Sequence, residues 1–70
     1  DSGVAWLAHA RALAVQAESD SNRRFQLNRS AVTAALNAAL RLPDAGRAEA
    51  LLVMAQALEA TYRGEAALGA

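Results

Sequence analysis

The chain has 70 residues, no cysteine, and seven arginines without a lysine, balanced by seven acidic residues to a formal net charge of zero. A domain of this length buries only about 60% of the surface its unfolded chain exposes, and without cysteine it has neither disulfides nor thiolate metal sites to compensate. Neutrality supplies no long-range field for nucleic acid or anionic lipid, and no apolar run approaches the roughly 20 residues that span a bilayer. The expected setting is therefore cytoplasmic and away from membranes, with association, either with another protein or as a homo-oligomer, supplying the missing stability.

Alanine accounts for 20 of the 70 residues. It lowers the cost of forming helix and lets helix backbones approach closely, but it buries little area per residue. The expectation is an all-α domain spanning 1–70, a three-helix bundle or a helical hairpin with one packed helix. The arginine-only, alanine-rich usage matches a high-GC bacterial genome.

The first helix is expected over 2–18, with the Ser2 hydroxyl capping its opening amides. A step of 100° per residue gathers Trp6, Leu7, Ala10, Leu13, Ala14 and Ala17 on one face and puts Val4, Ala8 and Val15 on a second apolar strip. A helix apolar on two sides is central in a bundle or sandwiched against a partner. Ser19-Asp20-Ser21-Asn22 ends it, because these side chains compete for backbone hydrogen bonds, and a connection is expected over 19–28.

The second helix is expected over 29–42, capped by Asn28 or Ser30, with Leu27 and Val32 placed for a hydrophobic staple. Val32, Ala35, Leu36, Ala39 and Leu40 face inward on this reading, and Thr33, Asn37 and Arg41 outward. Pro43 stops the helix, and Asp44 caps the third, over 44–63. Its seam reads Leu51, Met54, Ala55, Leu58 and Tyr62, opposite a polar line of Glu49, Gln56 and Arg63. Gly64 is a C-terminal cap candidate, leaving a frayed tail over 65–70. The second and third helices then form an antiparallel hairpin that packs on the first.

The run Ala39-Leu40-Arg41-Leu42-Pro43-Asp44, followed by Ala48-Glu49-Ala50-Leu51, resembles the joint between consecutive tetratricopeptide repeats. Leu51, Met54, Ala55 and Leu58 fit the large, large, small, large series of that family, and Trp6, His9, Ala10 and Leu13 follow it with histidine in place of the usual leucine. The two series begin 45 residues apart, against the 34-residue period of the family. The resemblance implies protein binding through a helical groove and carries over no catalytic residue.

No residue pattern assigns a catalytic, cofactor-binding or metal-binding role. His9, with Gln16 one stripe-turn away, lacks a nucleophile or acid at fixed spacing and reads as a histidine at the edge of the Trp6–Leu13 face. Arg23, Arg24 and Arg29 with Phe25 form the densest basic cluster, although Glu18 and Asp20 precede it. Trp6 is an anchor for either the core or a contact. Leu52 and Val53, beside the polar line of the third helix, read as a second contact surface. The candidate partner-binding set is thus Trp6, Val4, Val15, Leu52, Val53, Arg23 and Arg24. It belongs to a non-enzymatic interaction module: an adaptor, a docking or dimerisation domain, or a small helical chaperone that buries a partner helix or a second copy. The alternative is a small helical nucleic-acid-binding regulator using Arg23, Arg24 and Arg29.

Overall fold

A computed structural model describes residues 2–69 of the backbone, with side chains described through Arg63. Three helices, α1 (Gly3–Ser19), α2 (Arg24–Arg41) and α3 (Asp44–Gly69), make up the fold, with no strand among the described residues. The chain is all-α. Helix α1 begins as its sequence dictates: the Ser2 Oγ accepts from the amides of Val4 at 3.2 Å and Ala5 at 3.4 Å.

Helix α2 starts earlier than its sequence suggests. The Asp20 carboxylate accepts from the Arg23 amide at 3.3 Å, and the Arg23 carbonyl accepts from Leu27 at 2.8 Å. The connection therefore shrinks to 20–23, and Arg24–Leu27 become the first turn of the helix. Leu27 and Asn28, expected to form a staple and a cap, instead lie buried inside α2. Burying Leu27 favours the longer helix, since a leucine taken out of water contributes about 1.5–3 kcal/mol.

Pro43 separates α2 from α3, and its carbonyl accepts the amides of Gly46 and Arg47. Asp44 is the first residue of α3 and not its cap. Its φ of 48° places it in the left-handed region, which aspartate enters more readily than most residues. The backbone of α3 continues to Gly69 and so passes through Gly64 without stopping there. One glycine costs a helix about 1 kcal/mol, which strong helix formers on both sides offset. The frayed tail expected over 65–70 falls on residues whose side chains lie outside the described set.

The central helix is α2, not α1. Both neighbours pack along it, while α1 and α3 meet each other only briefly, at the Arg11–Glu49 ion pair among other contacts. Its buried arc explains why: Ala31, Ala34, Ala35, Ala38 and Ala39 give α2 a broad side of small residues on which two helices fit. Nine of the twelve buried apolar residues among those described are alanine. Leu7, Ala10, Ala50 and Val53 complete the main core, with Trp6, Leu13, Leu42 and Met54 packed at its border.

Leu42 closes the end of the molecule where α2 meets the other two helices. A Cβ at Gly3 would come within 2.6 Å of Leu42 Cγ, and one at Gly46 within 3.1 Å of Leu42 Cβ. These two glycines let α1 and α3 close on the leucine from either side. The Arg47 guanidinium donates to the carbonyls of Ala39 and Leu42 and fastens the same corner.

Candidate interaction surface

A small-residue core leaves the large residues outside. The Cα envelope is 13 Å across its thinnest direction, and no large side chain among the described residues is fully buried. Helix α3 approaches α2 through Gly46, Ala50, Val53, Ala57 and Thr61. That face is rotated by roughly 120° from the expected seam, since each residue advances the helix by about 100°. Leu51, Leu58 and Tyr62 are consequently exposed, and Met54 alone of that seam is half-buried. On α2, Leu36 and Leu40 are likewise exposed, where an inward position was expected.

The residues expected to make contacts divide accordingly. Val4, Val15 and Leu52 stand in solvent at 67%, 64% and 58% exposure. Val53, at 8% exposure, belongs to the core, because it lies on the narrow side through which α3 reaches α2. Trp6 is half-buried against that core, with the Arg41 guanidinium 5.6 Å from its ring centroid and the His9 ring edge-on at 6.4 Å. Its indole N–H is buried without a hydrogen-bond partner among the described residues.

The three arginines have different surroundings. Arg23 opens α2 from the connection, and Arg24 donates from Nε to the Ala17 carbonyl at 3.1 Å, tying α2 to the end of α1. Arg29 lies over the Phe25 ring at 5.7 Å. By helical rotation Arg24 and Arg29 leave α2 in directions about 140° apart. His9 lines a shallow depression with Trp6, Leu13, Ser30, Thr33 and Ala34; its hydroxyls belong to Ser30 and Thr33, and no carboxylate lines it. Among the described residues no cluster of three or more histidine, cysteine, aspartate or glutamate side chains converges on a metal-sized site.

Two larger surface features remain. A cleft of about 420 Å³ runs between Ala14, Ala17 and Glu18 of α1 and Val53, Gln56 and Ala57 of α3, floored by Asn28. On the opposite side, Arg29, Val32, Thr33, Leu58, Thr61 and Tyr62 line a shallow trough between α2 and α3. Leu58 and Tyr62, the C-terminal part of the exposed α3 seam, border this trough on the α3 side. The signal for that face was present in the sequence as the leucine seam of the third helix, read with the wrong side inward. No helix among the described residues is long and apolar enough to cross a membrane.

No known protein family, curated protein or solved structure matches the chain. The seam that carried the likeness to tetratricopeptide repeats, Leu51-Met54-Ala55-Leu58, is largely exposed in this fold instead of packed in a helical joint.

Proposed function

We propose that the protein is a non-enzymatic interaction module whose contact residues are the large apolar side chains turned out from an alanine core. The observation that carries this reading is the inversion of the usual distribution. Leu36, Leu40, Leu51, Leu52, Leu58 and Tyr62 are exposed while alanine fills the interior. Single surface leucines are ordinary, but Leu51, Leu58 and Tyr62 repeat at helical spacing along one side of α3, and an apolar stripe on so small a domain marks a surface that associates. Adaptor, docking and chaperone roles all use such a face, and a helix laid along it would be held by the leucines with arginines at the rim. The divergence of Arg24 and Arg29 around α2 argues against a nucleic-acid-binding regulator.

The test is a chain carrying Leu36→Gln, Leu40→Gln, Leu51→Gln and Leu58→Gln together. Circular dichroism should show the helical content of the parent, because these side chains contribute to contact and not to the fold. An unfolded product, at a concentration where the parent is a folded monomer, would show that the four leucines are core and would end the proposal.

A further inference from the structure

We propose that the α2–α3 face is a self-association surface, and that its occupant is a second copy of this chain docked antiparallel across a two-fold axis. This rests on the interaction-module reading and specifies its partner. Asp44, Ala48, Leu51, Ala55, Leu58 and Tyr62 follow one another along α3 at alternating steps of four and three, and every one of them is exposed. Alternating steps of this kind form the seam of a helix that packs lengthwise on another helix. Within the chain this seam has no helix upon it.

The seam is complementary to itself. Running two copies of α3 antiparallel about the middle of the series sets Leu58 against Ala48 of the second copy and Leu51 against its Ala55. Large residues thus meet small ones at both kinds of position, and the arrangement repeats by symmetry, as an isologous interface requires. At the ends Asp44 comes to Tyr62 of the second copy. Arg29 lines the same trough as Tyr62, so each Asp44 meets a phenol hydroxyl and a guanidinium. Arg29 has no ion pair among the described residues, and neither does Asp44. Opposite charges therefore stand at the two ends of one apolar face, where antiparallel pairing brings them together twice.

The dimensions agree with a dimer. From Asp44 to Tyr62 the seam is about 27 Å long. With Leu36 and Leu40 of α2 beside it, two helices 8–10 Å apart make a face roughly 20 Å wide. The projected area of about 540 Å² becomes larger as accessible surface and approaches the ~800 Å² per partner of a standard interface.

Sedimentation velocity on the full chain from about 5 to 500 μM tests this. The expected result is a mass rising from 7.3 kDa to twice that value. Leu58→Glu should raise the dissociation constant by about 100-fold or more while leaving the circular dichroism unchanged, since a carboxylate would be desolvated only in the dimer. Arg29→Glu should weaken pairing about tenfold by facing Asp44 with a like charge, and adding Asp44→Asn should recover most of that loss. Asparagine keeps the tolerance of left-handed backbone that position 44 needs.

Register is read by cysteine trapping, which the cysteine-free chain permits. Ala48→Cys mixed with Leu58→Cys should form a mixed disulfide faster than either variant alone crosslinks. A parent chain that stays at monomer mass throughout overturns self-pairing, and so does a dimer indifferent to both Leu58→Glu and Arg29→Glu. Either outcome with a folded four-glutamine variant rejects only this occupant. An unfolded four-glutamine variant, at a concentration where the parent chain is a folded monomer, rejects the interaction module itself.

Discussion

At the scale of single residues, Gly3 and Gly46 matter for what they lack. Replacing a helical glycine by alanine ordinarily stabilises by 0.5–1 kcal/mol, but a methyl group at Gly3 would sit 2.6 Å and 2.8 Å from the branched end of Leu42. Overpacking of that kind costs about 1–3 kcal/mol, which exceeds the propensity gain. Gly3→Ala should therefore lower the urea midpoint, and Gly3→Ala combined with Leu42→Ala should lose less than the two single changes added together. Additivity of the two would mean that they do not touch. Neither glycine announced this role in the sequence. At Gly3 the cap signal of Ser2 explained the local pattern completely, and the contact that makes the glycine necessary comes from a residue 39 positions away. Asp44 was misread for a related reason: a carboxylate after proline fits a cap, yet the Pro43 carbonyl already receives the opening amides.

At the scale of helices, boundaries follow tertiary burial where local signals compete. Asn28 and Ser30 both have cap chemistry, and Arg23–Leu27 shows no periodicity, so the pattern alone starts α2 too late. The turn at Asp20 and the burial of Leu27 and Asn28 start it at Arg24 instead. Asp20→Ala should shift the urea midpoint down by an amount worth about 0.5–1 kcal/mol, the lower part of the range for a lost cap, because its bond to the Arg23 amide is long at 3.3 Å. The denaturant slope should not change, since the surface exposed on unfolding is the same. No shift would show that the Arg24 tie to Ala17 suffices to hold the corner. The number, type and order of the helices were legible from capping residues, Pro43 and the alanine periodicity. Their facing was legible only for α1, where Trp6, Leu7 and Leu13 make one side unmistakably larger. On α2 and α3 an alanine side and a leucine side both repeat at helical spacing, and a rule that turns the larger residues inward selects the wrong one.

For the whole molecule, the same composition that permits close helix packing limits what that packing contributes. An alanine removes far less apolar surface from water than a leucine does, and only about 60% of the unfolded surface is buried at this size. Stability then resides in few contacts, and the exposed Arg11–Glu49 and Glu59–Arg63 pairs add no more than about 1 kcal/mol each. Association of the folded form would raise stability by mass action, which links the leucine-bearing exterior to the thin core. The most direct test of that division is a pair of urea titrations at low micromolar concentration, comparing Leu7→Ala with Leu40→Ala. Leu7, 7% exposed, should cost about 2–5 kcal/mol or unfold the chain outright, whereas Leu40, 69% exposed, should stay within about 0.5 kcal/mol of the parent. A Leu40→Ala loss as large as that of Leu7→Ala would contradict an alanine core with its leucines turned outward.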